Sequence, residues 1–125
     1  MNDLCLQITG AVLALIQQVR WKPGSAKRHL LKRRKRKHLL ETATLDDYES
    51  VIRRSLNDET AEVWVYRYEN IPYVTVTASI DKDVWLVMSD MKGIMETAFI
   101  VRHPEQYLKS PGYEYIGRLK EVLRL

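Results

Sequence analysis

The fold turns on Glu62-Val63-Trp64-Val65-Tyr66-Arg67-Tyr68 and Tyr73-Val74-Thr75-Val76-Thr77-Ala78-Ser79-Ile80. In both segments a valine, alanine or isoleucine alternates with an aromatic, hydroxylic or charged residue, which is the period of a strand with one face on a core. Glu69-Asn70-Ile71-Pro72 separates the two, and Asp81-Lys82-Asp83 leads on to Val84–Met88. A fourth run, Ile94–Val101, follows Ser89-Asp90-Met91-Lys92-Gly93. Connections this short join antiparallel neighbours, so residues 62–101 are expected to form a four-stranded antiparallel meander.

Helical periodicity flanks this sheet. Leu4, Ile8, Val12, Leu15 and Val19 recur at helical spacing over residues 3–20, and Lys22-Pro23-Gly24-Ser25 closes that helix. Thr44-Leu45-Asp46-Asp47 carries a capping-box pattern, after which Tyr48, Val51, Ile52 and Leu56 share one face, so a helix is expected over 45–56. The acids of its first turn suit the helix dipole better than a catalytic role. Pro104 closes the fourth strand and opens a short helical turn through Tyr107. Ile116, Leu119 and Leu123 point to a C-terminal helix in 112–125. The expected fold is therefore α+β, a single domain over 1–125 with N-terminal helices packed on the meander and a helix at the end.

Charge is concentrated between Lys22 and His38, which hold nine Lys or Arg and no acid. The chain carries 20 basic and 16 acidic residues, so in the remainder taken together 16 acids outnumber 11 bases. A cationic segment in an acidic body calls for a polyanionic partner. On a helical wheel Leu31 and Leu39 flank Lys35, with His38 beside Leu31, so Lys35 and His38 are expected to face inward and Arg33, Arg36 and Lys37 outward. A solvated basic arm or a localisation signal would account for the charges alone. The histidine that closes the run is what such an arm does not need.

Several classes of chemistry lack their motifs. The chain has no phosphate-binding glycine loop, no Gly-x-Ser-x-Gly elbow, no His-Glu-x-x-His and no Cys-x-x-Cys. Cys5 is the one cysteine and is expected to pack as a small apolar residue in a reducing compartment. Ala11–Ile16 is too short to span a bilayer, and Asn2 and Asp3 stand where a signal peptide would be positive. The expectation is a cytoplasmic protein with no membrane partner, no cofactor and no metal site.

Cleavage of RNA by internal transesterification needs only groups that this chain has. The substrate's 2′-hydroxyl is the nucleophile, and the protein moves protons and stabilises the charge on phosphorus. His38, held neutral by its cationic neighbours, is the candidate proton-transfer residue. Lys35, with Lys37 or Arg34, would clamp the phosphate. Lys27, Arg28, Lys32, Arg33 and Arg36 complete the expected RNA-binding surface. Trp64, Tyr66, Tyr68 and Trp85 could stack on bases, although strand aromatics are more often core.

Lys35-x-Lys37-His38 on an early helix, Trp85-Leu86-Val87 in an antiparallel sheet, then Gly93 and Glu96-Thr97-Ala98-Phe99 on its last strand resemble the superfamily that groups barnase, EndoU, colicin D and RelE nucleases. The likeness is greatest to its colicin-D-like and phage-associated branches and covers residues 27–101. That pattern has Lys and His on a helix, and Ser or Thr followed two residues later by an aromatic on the final strand; Thr97 and Phe99 match it. The resemblance implies a toxin-type, metal-independent endoribonuclease, often acting on tRNA and leaving a 2′,3′-cyclic phosphate and a 5′-hydroxyl. It implies Thr97 as a phosphate ligand, Phe99 beside the RNA, and an acidic inhibitor, antitoxin or immunity protein that covers residues 27–38. The helices in 1–22 and 112–125 lie outside the pattern. His29 and His103 are the candidates for a second proton carrier. The alternatives are a non-catalytic nucleic-acid-binding module built on the same basic segment, and a structural component docked through its first helix.

Overall fold

The structure is a computed structural model that describes residues 3–124. Residues 1, 2 and 125 of the terminal spans lie outside it. The protein is α+β, with its longer helices packed against one face of a six-stranded, mostly antiparallel sheet. In chain order the elements are α1 (Asp3–Gln17), β1 (Arg20–Trp21), α2 (Ser25–Lys35), α3 (Leu45–Leu56), β2 (Glu62–Tyr68), β3 (Ile71–Ile80), β4 (Asp83–Ser89), β5 (Ile94–Val101), α4 (Pro104–Tyr107), β6 (Tyr113–Arg118) and α5 (Leu119–Val122). The sheet order is β1-β5-β4-β3-β2-β6.

The expected four-stranded meander is the centre of this sheet, and a strand is added at each side. Two-residue turns at Glu69-Asn70 and Asp81-Lys82 have positive φ at both positions, the backbone twist that hairpins favour. The C-terminal helix expected in 112–125 is present but much shorter than expected. Residues 113–118 form β6, antiparallel to β2 with Tyr66 opposite Tyr113, and only the single turn α5 follows. Tyr113, Tyr115 and Gly117 alternate with Glu114 and Ile116 along β6, and pairing to an open sheet edge outweighs the weak helical spacing of Ile116, Leu119 and Leu123. At the other side β1 lies parallel to the start of β5.

The main core fills the space between helices and sheet. Ile8, Ala11, Val12 and Leu15 from α1 and Tyr48, Ile52 and Leu56 from α3 pack on Val63, Val65, Val74, Val76, Val87 and Ala98. Thr44 and Asp47 form the expected reciprocal cap of α3. Gly93, at φ +84, sits where α1 meets the β4–β5 turn, and a Cβ there would lie 2.7 Å from the Ala14 side chain. On the opposite face of the sheet a smaller cluster of Leu86, Met88 and Val101 is edged by Tyr66, Tyr73, Phe99 and Tyr113. Among the described residues no helix is long and apolar enough to cross a membrane.

Because β1 reaches only Met95, the outer edge of β5 beyond it has no strand beside it. Side chains take its place. The fully buried Tyr48 hydroxyl donates to Ala98 O at 2.6 Å and accepts from Ala98 N at 3.2 Å. His38 accepts from Ile100 N at 3.1 Å. Tyr48→Phe removes both bonds to Ala98 and leaves two buried backbone groups unmatched, so it should lower the free energy of unfolding by about 1–3 kcal/mol, measured by urea denaturation.

Candidate active-site cleft

Helix α2 carries the basic run, and its end decides where the charges go. Lys32, Arg33, Arg34 and Lys35 fill its last turn, where the helix dipole favours cations. Lys37 then adopts a left-handed conformation at φ 62. Lys37 N–H reaches Arg34 O and His38 N–H reaches Arg33 O, the paired bonds of a Schellman motif. The helix therefore stops at Lys35, and the wheel drawn through residue 39 does not hold. Leu30 and Arg33 turn inward, while Leu31, Lys35, Arg36 and Lys37 are exposed. This corrects the expected facing of Arg33 and Lys35. Leu30 rather than the expected Leu31 is the inward leucine, and a buried arginine runs against the usual cost of burying a cation.

The same motif swings His38 back onto Arg33, three residues before the helix cap. His38 Nδ1 lies 3.0 Å from Arg33 Nη1 and also accepts from Ile100 N–H. A guanidinium only donates, so Nδ1 presents its lone pair to both and the ring proton resides on Nε2. Burial, then the charges of Arg33, Arg102 and Arg36, hold the imidazole down to about pKa 4. Near neutral pH His38 is thus an uncharged ring whose one acceptor is already occupied, and it offers the cleft a donor.

Thr97 meets a different histidine. Its hydroxyl is 3.4 Å from Nδ1 of His29, which stands one turn before Arg33 on α2. Thr97, Phe99 and Val101 share the sheet face of Leu86 and Met88. Thr97 pairs with Met88 while Met95 pairs with Ser89, so Glu96 is the extra residue of a bulge that re-aims this part of β5. Glu96 forms an ion pair with Lys22. The His29 ring stacks on Trp21 at 5.8 Å, and Trp21 Nε1 donates to Glu49 at 2.9 Å. Burial, reinforced by Arg28, Arg33 and Lys32, lowers the His29 pKa below its ordinary 6.5. The ring is therefore mainly neutral at pH 7 and can take up a proton.

These groups surround a cavity of about 1010 Å³. Helix α2 and its following turn give one wall with His29, Lys32, Arg33, Arg36 and His38. Tyr66, Tyr68 and Tyr73 line it from β2 and β3, and Glu96, Thr97 and Phe99 from β5. Arg102, His103, Gln106 and Tyr107 also line it. His38, Thr97, Lys32, Arg33, Arg36 and Phe99 thus line one cavity. Lys35 and Lys37 do not line the cavity, nor do Lys27 and Arg28, all four being exposed. Arg34 donates through Nε to Ala43 O at 2.8 Å and so holds the loop before α3. Of the aromatics considered for stacking, Tyr66 and Tyr68 line the cavity, while Trp85 is buried in the core. Sequence reading missed Tyr73, Arg102 and the support of Trp21. The cross-strand register that puts Tyr73 opposite Tyr66 was the available signal.

Among the described residues no group of three or more His, Cys, Asp or Glu side chains could hold a metal ion. Compared with protein-family models, with curated proteins and with solved structures, the chain gives no match.

The His38 environment has a consequence for stability. Its pKa is depressed in the folded state, so between the unfolded value of 6.5 and about 4 the unfolded chain binds the extra proton. Its contribution is present above pH 6.5 and is lost as pH falls towards 4. Across that window the wild type should lose on the order of 1 kcal/mol more than His38→Asn, after allowance for solvent near the ring, as read by denaturation at a series of pH values.

Proposed function

We propose that this protein is a metal-independent endoribonuclease of toxin type, acting by attack of the substrate's 2′-hydroxyl on the adjacent phosphate. One observation carries the reading: the His29 imidazole and the Thr97 hydroxyl meet at 3.4 Å in a cleft with arginines and lysine on one wall and tyrosines on another. His29, neutral at physiological pH, takes the 2′-hydroxyl proton. The Thr97 hydroxyl holds a phosphate oxygen, and Lys32, Arg36 and Arg102 attract the backbone. Tyr66, Tyr68 and Tyr73 give flat surfaces on which unpaired bases stack, worth about 1–3 kcal/mol per base. His103, also in the lining of the cleft, returns a proton to the departing 5′-oxygen. His38 and the exposed Lys35 and Lys37, the first candidates from sequence, contribute a fixed donor and outer charge respectively.

The substrate that fits is a structured RNA with a looped-out segment, of which tRNA is the leading case. The products are a 2′,3′-cyclic phosphate and a 5′-hydroxyl. Of the residues that carry the resemblance to the barnase, EndoU, colicin D and RelE grouping, His38, Thr97 and Phe99 line the cleft, and Lys35 and Lys37 do not. A cytoplasmic nuclease endangers its own cell, so an acidic inhibitor seated on the exposed cations of α2 belongs to the proposal. A non-catalytic nucleic-acid-binding module is the rival, favoured by the four exposed cations Lys27, Arg28, Lys35 and Lys37 that stand apart from the cleft.

Incubation with total RNA in EDTA, followed by end-group analysis, decides between them. Cyclic phosphate ends are expected from the wild type, with a loss of about 10²–10⁴-fold in His29→Ala and about tenfold in Thr97→Ala. Lys35→Ala and Lys37→Ala should change the rate little. Because the His29 pKa is lowered, the rising limb of kcat/KM against pH should fall below pH 6.5. Intact RNA at high protein excess establishes the binding module instead.

A further inference from the structure

Arg33 is the most unusual charge in the molecule. It is 3% exposed, and among the described residues it makes no ion pair. Its Nε has no hydrogen-bond partner, and Nη1 has only the neutral His38 ring. Its guanidinium carbon stands 5.6 Å from the centroid of the Phe99 ring, which offers attraction but no compensating charge. Of the other groups on the cleft wall, His29, Lys32, Arg36 and Arg102 bring no negative charge, and Glu96, the acid among them, is paired with Lys22. A guanidinium stays protonated, so this is a buried, unneutralised cation with one buried donor unmatched, on a residue that lines the cleft.

A fold built on stability alone would pair such a group with a carboxylate or replace it with an apolar residue. We propose that Arg33, held in place by His38, forms a preorganised subsite for a tetrahedral oxyanion, and that the ligand completes the charge balance that the folded chain lacks. His38 is the positioning residue: its Nδ1, oriented by Ile100 N–H, fixes one arm of the guanidinium, whose unneutralised charge lies on the cleft wall. The identity of the anion as an RNA backbone phosphate rests on the ribonuclease reading, whereas capture of an oxyanion does not.

Inorganic sulfate and phosphate are the probes, titrated by calorimetry at constant ionic strength with chloride as the control, and sulfate binding is repeated in the presence of a non-cleavable deoxyoligonucleotide. One saturable site is expected, with affinity reduced at least tenfold in Arg33→Met and lowered by competition with the oligonucleotide. Arg33→Lys keeps the charge without the fork and should bind more weakly than the wild type. His38→Asn keeps an acceptor near Nδ1 and should retain binding, while His38→Leu should weaken it. In low-salt buffer without oxyanions Arg33→Met should melt at the wild-type temperature or above, and sulfate should raise the melting temperature of the wild type but not of Arg33→Met. A wild type that binds no sulfate, an Arg33→Met that binds it equally well, or an Arg33→Met that unfolds or melts far below wild type each overturns the proposal. Bound sulfate with no RNA cleavage would sink the ribonuclease reading and leave the subsite standing; cleavage with unchanged sulfate binding in Arg33→Met would do the reverse. Binding of oligonucleotide without competition would overturn backbone phosphate as the ligand.

Discussion

The bonds that Tyr48 and His38 make to the outer edge of β5 hold the two layers of this protein in register. A strand edge presents polar groups that must be matched or solvated, and β1 is too short to match those beyond Met95. Tyr48 serves Ala98 from α3, and His38 serves Ile100 from the turn after α2. Both helices are thereby fixed to one strand, whose opposite-facing residues Thr97 and Phe99 line the cleft. The position of His29 over Thr97 follows from that attachment.

Electrostatics and packing pull in different directions at this site. The core between helices and sheet is almost wholly apolar, as a stable domain of this size requires. Along its border Arg33 is buried without an acid, and His38 is forced neutral beside it. Each is an expense in stability, and such departures from local consistency gather at functional sites. The bulge at Glu96 and the left-handed Lys37 are backbone counterparts of the same pattern, one re-aiming Thr97 and the other returning His38 to the helix it has just left.

The two faces of the sheet divide the labour. Helices cover one face and bury Val63, Val65, Val74, Val76 and Val87. On the other, Tyr66 packs on Tyr113 at 4.5 Å between centroids, Tyr107 on Tyr113 at 5.6 Å, and Phe99 on Tyr107 at 6.0 Å. This aromatic surface is continuous with the cationic wall of α2, and it is the juxtaposition of the two that suits a polyanion bearing flat rings.

Local pattern determined the meander, its hairpins, the cap of α3 and the amphipathic stripe of α1, because each depends on residues close together in the chain. The alternation of Val63 to Ile80 and the Thr44–Asp47 box need no distant partner to be read. Sequence also located the cationic segment and put Thr97 with Phe99 on one face, since strand parity is a local property. Tertiary structure alone decided the rest. Tyr113–Arg118 became a strand because β2 had an open edge, and the inward side of α2 was set by which leucine the core accepted. Arg33 rather than Lys35 turned inward, and His29 rather than His38 met Thr97, because a helix that ends at Lys35 breaks the angular relation between residues on either side of its cap.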